Sequence, residues 1–457
     1  MRIIIVGGGP GGVAAAVRAA QLGAQAAVVE SGNLGGVCMN EGCVPLRVLG
    51  SAAEAAAVVG SADRHGLVSV SPKLDWERLE VRVRDTVNTM RMGTEALLRS
   101  YNVSVIRGKG CLTASGAVRV GKEILSADAV ILAAGSDWVR PGFTGDGFEG
   151  IITPEEIISG SRVPNRILVL GGRPWAVELA AFCARFGAAV TVVPDKGFLP
   201  GIDRQVSSRL RAALKESGVE VLHRAAVESV HRQGGRLVAV LKTKDETLRR
   251  EVDRIMYTDR APRLVGLGLK EAGVVVDSGA VKVDASLRTT HPKVLAIGDL
   301  TGEPFFSHKA SAQGIVAAEV AMGRKRTFSD RAIPTVVYTL PEAAAVGLTE
   351  KEAKARGHDI VIGEMPLEVN ARAMAELSGK GFVKLICEAR HKAILGVHLL
   401  GSQSAELIHT AALAIQLEAT AEELADLAAP HPTYGESLVD AARAVLDGPI
   451  YMLRKKG

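Results

Sequence analysis

The sequence predicts an α/β fold with two Rossmann-like nucleotide-binding domains, followed by a carboxy-terminal α+β domain. A strand, a glycine-rich turn, a helix and a second strand open the chain over residues 2–30. The same unit returns over residues 166–194, so the chain contains an internal repeat. A length of 457 residues suits about three domains. The many glycines and alanines suit close packing of helices on sheets.

The first unit carries an intact nucleotide-binding fingerprint. An apolar strand at residues 2–6 precedes the pattern G-x-G-x-x-G, and the second strand ends in Glu30. Glycines at these positions allow a tight turn, approach of a pyrophosphate to the backbone, and close packing of the helix. The helix amino terminus binds phosphate, and Glu30 can accept a hydrogen bond from a ribose hydroxyl. The fingerprint glycines are Gly7, Gly9 and Gly12.

The second unit keeps the fold pattern but alters its chemistry. Gly171 opens the fingerprint, yet Arg173 stands at the second glycine position, where only a hydrogen should fit beneath a pyrophosphate. The second strand ends in Pro194, and the acid Asp195 comes one residue later. Because successive side chains along a strand face opposite ways, the Asp195 carboxylate can point away from the ribose position. Two interpretations stay open: an adapted nucleotide site, or a Rossmann fold retained for packing.

Two cysteines, Cys38 and Cys43, lie five positions apart beside several glycines. In a regular helix such residues have Cα atoms roughly 8–9 Å apart, whereas a disulfide needs less than about 7 Å. A bridge therefore requires distorted backbone, which Gly42 permits, and such a bridge is easily reduced. The alternative is a pair of unrelated buried thiols. Core positions are expected for the other cysteines, Cys111, Cys183 and Cys387.

Composition excludes several classes of protein. The net charge of +5 comes from arginines spread along the chain, which gives no support to nucleic-acid binding. No apolar run approaches a membrane span, and the amino terminus begins directly on a strand without a signal pattern. Five scattered cysteines do not form a secreted disulfide scaffold. We therefore expect a cytoplasmic protein whose cysteine pair is catalytic, without a membrane or a metal.

Five segments together resemble one family. They are similar to the flavin-dependent pyridine nucleotide–disulfide oxidoreductases, and among these to the dihydrolipoamide dehydrogenases. The segment at 35–45 looks like the redox-disulfide motif, and His431-Pro-Thr-x-x-Glu436 looks like the carboxy-terminal signature. The remaining three lie at 129–136, 295–299 and 307–310.

This resemblance implies FAD, a homodimer, and a dithiol substrate such as a lipoyl group on a partner protein. Cys38 would exchange with the substrate, and Cys43 would lie against the flavin. His431, held by Glu436, would be the base that makes the substrate thiolate in the partner subunit. The residues expected to bind FAD are Gly7, Gly9, Gly12, Glu30, Gly36, Val37, Arg47, Gly110, Ala134, Gly135, Ser136, Gly298, Asp299, Ser307 and His308.

The resemblance also implies the domain organisation. An FAD-binding domain would cover residues 1–146 and return at 266–330. An NAD(P)-type Rossmann domain with a degraded fingerprint would cover 147–265, and a dimerisation domain 331–457. The expected first strand of the last domain is 333–339.

Departures from the family pattern concern the nicotinamide nucleotide. Asp259 replaces the glycine of a Gly-Arg-x-Pro segment and brings a negative charge towards an anionic cofactor. Glu178 is retained, and we expect it to pair with Arg47. A nicotinamide nucleotide would lie near Gly171, Arg173, Glu178 and Asp259.

Three functions therefore stay open. The first is a dihydrolipoamide-dehydrogenase-like enzyme that still uses NAD in an adapted pocket. The second passes electrons to another carrier, such as a protein, a quinone-like acceptor or oxygen. The third is a flavin-binding scaffold without turnover.

Overall fold

The structure is a computed structural model that describes residues 1–159 and 162–452. The remaining positions of the expected second and last domains, 160–161 and 453–457, lie outside the described residues. The helices are α1 (Pro10–Gln21), α2 (Gly36–Asn40), α3 (Cys43–Gly60), α4 (Trp76–Ser100), α5 (Pro154–Ile158), α6 (Pro174–Arg185), α7 (Arg204–Glu216), α8 (Ser307–Ala321), α9 (Glu350–Ala355), α10 (Ala371–Ala375), α11 (Ser404–Gln416), α12 (Ala421–Ala425) and α13 (Gly435–Val445). The strands are β1 (Arg2–Val6), β2 (Gln25–Glu30), β3 (Ser104–Arg107), β4 (Gly110–Leu112), β5 (Val118–Val120), β6 (Glu123–Leu125), β7 (Ala129–Leu132), β8 (Ser136–Trp138), β9 (Ile151–Ile152), β10 (Arg166–Leu170), β11 (Ala189–Val193), β12 (Val219–Val221), β13 (Ala226–Gln233), β14 (Arg236–Lys242), β15 (Thr247–Val252), β16 (Arg254–Tyr257), β17 (Arg260–Pro262), β18 (Val276–Asp277), β19 (Ala280–Val281), β20 (Val294–Ala296), β21 (Thr335–Val337), β22 (Ala343–Gly347), β23 (Ile360–Pro366), β24 (Phe382–Glu388) and β25 (Ile394–Leu400).

The first sheet is parallel, with strand order β20-β7-β1-β2-β3. Its central strands are almost wholly apolar and buried, as expected for a parallel sheet covered on both faces. Helices α1 and α8 pack together at a glycine contact, because a Cβ atom on Gly314 would lie only 2.3 Å from the Gly11 carbonyl oxygen. Strand β20 brings the chain back into this sheet after the second domain.

The second sheet is also parallel, with order β12-β11-β10-β16-β9. An antiparallel three-stranded sheet, β13-β14-β15, is inserted before β16. The strands predicted at 166–170 and 189–193 are β10 and β11. The chain therefore contains two Rossmann-like units, as the repeat predicts.

The third sheet is antiparallel, with order β21-β22-β25-β24-β23, and α11, α12 and α13 share its apolar core. Its first strand, β21, is shorter than the predicted 333–339. The α/β class with a final α+β domain is confirmed. The boundaries expected at 146, 265 and 330 lie in connections between elements, and they stay predictions.

A buried ion pair joins the second and third domains. Lys384 on β24 contacts the Oδ1 atom of Asp203 at 3.0 Å, and their side chains are only 3% and 5% exposed. Lys384 also contacts Glu350 at 2.8 Å. The backbone N–H of Asp203 donates to Nδ1 of the buried His398 at 3.2 Å. We call these four residues the Asp203 junction.

The stretch Gly36–Gly60 requires a correction. Within the described residues it is long and apolar enough to cross a membrane, with a mean hydropathy of 1.4, so the expectation that no run approaches a span was wrong. Helices α2 and α3 meet at a break inside this stretch. Leu46, Val48 and Leu49 lie in an apolar cluster with α4 and α6. The part around these three residues therefore packs in the core of the folded domain, whereas 33% of the most apolar window of the stretch is buried.

Candidate active site

A cavity of about 720 Å³ opens at the carboxyl edge of the first sheet, where ligands bind in open α/β folds. Both Cys38 and Cys43 line it. Most of the residues predicted to bind FAD also line it: Gly7, Gly9, Glu30, Gly36, Val37, Gly110, Ala134, Gly135, Ser136, Gly298, Asp299 and Ser307.

The glycine turn at the base of the cavity fits a dinucleotide. A Cβ atom on Gly9 would meet nothing closer than the Gly36 Cα atom at 3.9 Å, so the backbone is open to a phosphate. On the other side, Gly36 has a φ of +56° and its own Cβ would lie 2.9 Å from Gly9. These two glycines form a shallow cradle before the amino terminus of α1, which favours an anion. The residues therefore fit FAD.

Two carboxylates, those of Glu30 and Asp299, line this cavity. Glu30 accepts the backbone N–H groups of Gly8 and Gly32, each at 2.6 Å. These bonds fix the carboxylate at the end of β2, where a ribose would lie. Asp299 accepts the Ser136 hydroxyl at 2.5 Å. Both acids are therefore held in place by the chain itself.

The redox pair lies where α2 ends and α3 begins. Gly42 separates the helices, because its backbone does not continue the helical conformation. Both thiols are free and share a hydrogen bond. That bond lowers the pKa of Cys38 to about 7, against the effect of burial. The same bond, together with burial, raises the pKa of Cys43. The distorted backbone predicted from the spacing is therefore present.

His431 and Glu436 form a hydrogen-bonded pair, with 2.9 Å between Nδ1 and Oε1. Against the effect of burial, the Thr433 N–H and the His431 ring lower the pKa of Glu436. An ionised Glu436 accepts the Nδ1 proton and leaves Nε2 of His431 free to take a proton. The imidazole is 70% exposed and does not line the cavity of its own chain.

Three residues predicted to bind FAD do not line the cavity. Gly12 acts through packing, because a Cβ atom there would lie 1.9 Å from the Gly7 carbonyl oxygen. His308 turns away towards the third domain, where its Nε2 lies 2.9 Å from the Pro334 carbonyl oxygen. Arg47 lies on the second turn of α3 and also points away from the cavity.

The expected pair between Glu178 and Arg47 is wrong. Arg47 instead forms an ion pair with Glu54, which lies seven residues further along the same helix. Its guanidinium also lies over the Tyr338 ring, 5.0 Å from the centroid. Glu178 accepts the backbone N–H of Tyr338 at 3.1 Å. Because burial removes the Glu178 carboxyl from water, its pKa is raised to about 8.

This raised pKa predicts a pH-dependent cost in stability. The folded chain holds a proton on Glu178 that the unfolded chain releases near pH 4.5, so stability falls as the pH rises from 4.5 towards 8. Glu178→Gln removes this cost and retains an oxygen for the Tyr338 N–H. We expect the variant to raise Tm more at pH 8 than at pH 5, measured by calorimetry. Glu228→Gln, at an exposed position on β13, is the control. Equal effects of Glu178→Gln at both pH values would contradict the prediction.

The altered second fingerprint is closed by the chain itself. Arg173 forms an ion pair with Glu303, at 2.6 and 2.7 Å to the two carboxylate oxygens. Glu303 lies in the connection between β20 and α8, which we call the FAD-side segment. A Cβ atom on Gly172 would lie 2.2 Å from the Gly197 carbonyl oxygen, so the loop after β11 packs directly on this turn. A Cβ atom on Gly171 would lie 2.1 Å from the Thr258 hydroxyl.

Acidic side chains also lie near this turn. Asp259 pairs with Lys196 at 3.2 Å. Burial and the neighbouring Asp259 carboxylate raise the pKa of Asp195. A nicotinamide dinucleotide would bring two phosphates towards these carboxylates. The residues present at the second fingerprint therefore do not fit a dinucleotide.

Sequence reasoning missed several members of the cavity wall, and Trp175 is one of them. Trp175, on the first turn of α6, lines the cavity. It lies beside residues 38–43, which we call the redox segment. Its position two residues after the unusual Arg173 was the available signal. Arg260, which follows Asp259 in the chain, lines the cavity as well.

Comparison with known proteins agrees with this geometry. Residues 1–314 match the pyridine nucleotide-disulphide oxidoreductase family, and residues 333–442 match its dimerisation domain. The chain therefore belongs to this family. More narrowly, it is a dihydrolipoyl-dehydrogenase-like flavoprotein disulfide oxidoreductase.

Similar relatives support the narrower statement. Dihydrolipoyl dehydrogenase from Thermus scotoductus is 35% identical, with 99% of each chain covered. The enzyme of the same name from Zymomonas mobilis is 34% identical, with 97% of each covered. LpdA from Mycobacterium tuberculosis superposes with a TM-score of 0.89 at 27% identity, covering 98% of this chain and 100% of that one. The flavoprotein disulfide reductase RclA from Escherichia coli gives 0.86 at 26%, covering 97% and 99%.

Proposed function

We propose that the protein is a cytoplasmic, FAD-dependent homodimer that oxidises a dihydrolipoyl-type dithiol. The observation that carries the proposal is the Cys38–Cys43 pair in the wall of a cavity that fits FAD. FAD bound there supplies a two-electron carrier for the reduced cysteine pair. The exposed His431 supports the homodimer, because a base turned away from its own cavity is free to serve the partner's.

The reaction begins with the Cys38–Cys43 disulfide. His431 takes a proton from one substrate thiol, and the resulting thiolate attacks the Sγ atom of Cys38. The Cys38–Cys43 bond breaks, and Cys43 leaves as a thiolate. The second substrate thiol then releases its proton and attacks the substrate sulfur of the mixed disulfide, and Cys38 leaves. The substrate loses two electrons and two protons and closes to a disulfide, while the cysteine pair gains the electrons.

Anaerobic titration of the FAD-loaded protein with dihydrolipoamide tests this proposal. We expect reduction by about one equivalent of dithiol per FAD. A protein that is not reduced would act as a flavin-binding scaffold instead. The intact set of Cys38, Cys43, His431 and Glu436 argues against that alternative.

A second candidate concerns where the electrons go. The Arg173–Glu303 ion pair favours a carrier other than a nicotinamide nucleotide, because it joins the altered fingerprint to the FAD-side segment. A partner protein, a quinone-like acceptor or oxygen would then take the electrons. Titration of the dithiol-reduced protein with NAD⁺ in the absence of oxygen separates these cases.

We predict that NADH reduces the native protein slowly and that Arg173→Gly accelerates this reduction. The glycine removes both the long side chain and its ion pair, and reopens the approach of a pyrophosphate to the backbone. Adding Pro194→Glu supplies a ribose acceptor and should favour NADH over NADPH. Anaerobic stopped-flow absorbance measures the rates.

Glu303→Gln is the matched variant, since it breaks the same ion pair but keeps the guanidinium. A faster reaction in Glu303→Gln than in Arg173→Gly would make Arg173 a phosphate ligand. Fast reduction of the native protein by micromolar NADH, slowed by Arg173→Gly, would overturn the closed-site interpretation.

A further inference from the structure

Trp175 lies between the second Rossmann unit and the redox cavity. In this fold a dinucleotide crosses the carboxyl edge of the sheet at the helix amino terminus, which here is the start of α6. Trp175 is on the first turn of that helix and also lines the cavity that fits FAD. A nicotinamide ring that passes from the second unit to the flavin must therefore pass this indole.

The indole is held against the redox segment on one side. A Cβ atom on Gly42 would lie 2.6 Å from two atoms of the Trp175 ring, Cζ2 and Cη2. The ring therefore touches the backbone between Cys38 and Cys43. No space is left there for a second planar ring.

Two further side chains hold the indole from the other side. Trp138 meets it edge-on, with 5.3 Å between the ring centroids. The Arg260 guanidinium lies 5.1 Å from the Trp138 ring centroid and 5.8 Å from the Trp175 centroid. These distances suit aromatic and cation–π contacts.

Each of these supports is itself anchored. The indole N–H of Trp138 donates to Glu155 at 2.6 Å. Arg260 is only 12% exposed, lies 3.6 Å from Asp299, and donates to the Ser136 carbonyl oxygen at 3.2 Å. Moving Trp175 aside would disturb this whole set of contacts. The indole is therefore a fixed wall.

We propose that Trp175 determines the specificity for the electron partner by excluding the nicotinamide ring from the cavity. The inference rests on the proposed dithiol function, and deepens it by naming the residue that separates the two half-reactions. Electron partners that approach the cavity by a route other than the second Rossmann unit are unaffected by this wall. Trp175 is an obstacle in addition to the Arg173–Glu303 ion pair, so removing either one should admit nicotinamide nucleotides in part.

Binding of NAD⁺ to the oxidised, FAD-loaded protein tests the proposal by isothermal titration calorimetry. Trp175→Ile replaces the indole with a smaller apolar side chain, and we expect its Kd for NAD⁺ to fall by at least about tenfold. Trp175→Phe keeps an aromatic ring and should give a smaller decrease. Phe186→Leu is the control, because Phe186 lies at the other end of α6 and contacts Phe182. Its Kd should equal the native value.

A kinetic readout accompanies the binding. The ratio of the NADH-linked to the dihydrolipoamide-linked rate of flavin reduction should rise by at least about tenfold in Trp175→Ile. Unchanged Kd values and ratios in both Trp175 variants would overturn the proposal. Failure of dihydrolipoamide to reduce the native protein would instead overturn the proposed function, so the two failures are distinguishable.

Discussion

Replacing Cys38 with serine should abolish oxidation of a dithiol, because the sulfur that exchanges with the substrate is lost. The same change should lower the pKa of Cys43 and so favour its thiolate. The hydrogen bond that the Cys43 thiol donates to Cys38 is the main cause that raises the pKa of Cys43, and the variant removes its sulfur partner. Since Cys43 lines the cavity, its thiolate should give a long-wavelength absorbance band with bound FAD.

Cys43→Ser is the opposite variant. It should also stop turnover, but it should show no such band after reduction. Cys111→Ser changes a thiol outside the cavity and should keep both turnover and the band. Absorbance spectra of the variants, recorded without oxygen, make the comparison. If Cys38→Ser and Cys43→Ser give the same spectrum, the assignment of roles is wrong.

His431→Ala should slow reduction by dihydrolipoamide about 10²–10⁴-fold, the usual contribution of a positioned base. The flavin content should be unchanged, because the imidazole does not line the cavity of its own chain. His391→Ala, at an exposed turn of the same domain, is the control. Anaerobic stopped-flow absorbance measures the rate constants. A loss of less than about threefold in His431→Ala would leave this histidine without a role as base.

A mixed dimer tests which subunit the base serves. Combining a Cys38→Ser chain with a His431→Ala chain leaves one subunit with its own redox pair and the partner's imidazole. If the base serves the partner, this hybrid should retain about half of the native dithiol activity. An inactive hybrid would place the base and the redox pair in the same chain.

The parts of the fold that sequence predicted are those with local causes. The fingerprint glycines set the first turn, because Gly7 and Gly12 each allow a backbone contact that a side chain would block, and Gly9 leaves the backbone open to a phosphate. Short apolar runs between turn residues predicted the strands of the two parallel sheets. The spacing of Cys38 and Cys43 required a helix break, and Gly42 provides it.

The parts that sequence could not predict depend on contacts between distant segments. Arg47 was expected to pair with Glu178, but the packing of α3 directs it to Glu54. Arg173 pairs with Glu303, which lies 130 positions away. The direction of His308 depends on where the third domain packs. No local pattern shows which distant partner a long side chain will reach.

The Asp203 junction limits how this protein can be recombined. The lysine and the histidine come from the third domain, whereas the aspartate begins α7 of the second. Consider a chimaera that takes its second domain from a relative with an apolar residue at 203. Lys384 would then keep its buried charge but lose one of its two carboxylate partners. Breaking a buried ion pair costs about 3–5 kcal/mol of stability. Domain exchange would therefore succeed only if these positions were transferred as a group, so the second and third domains form a single module for protein engineering.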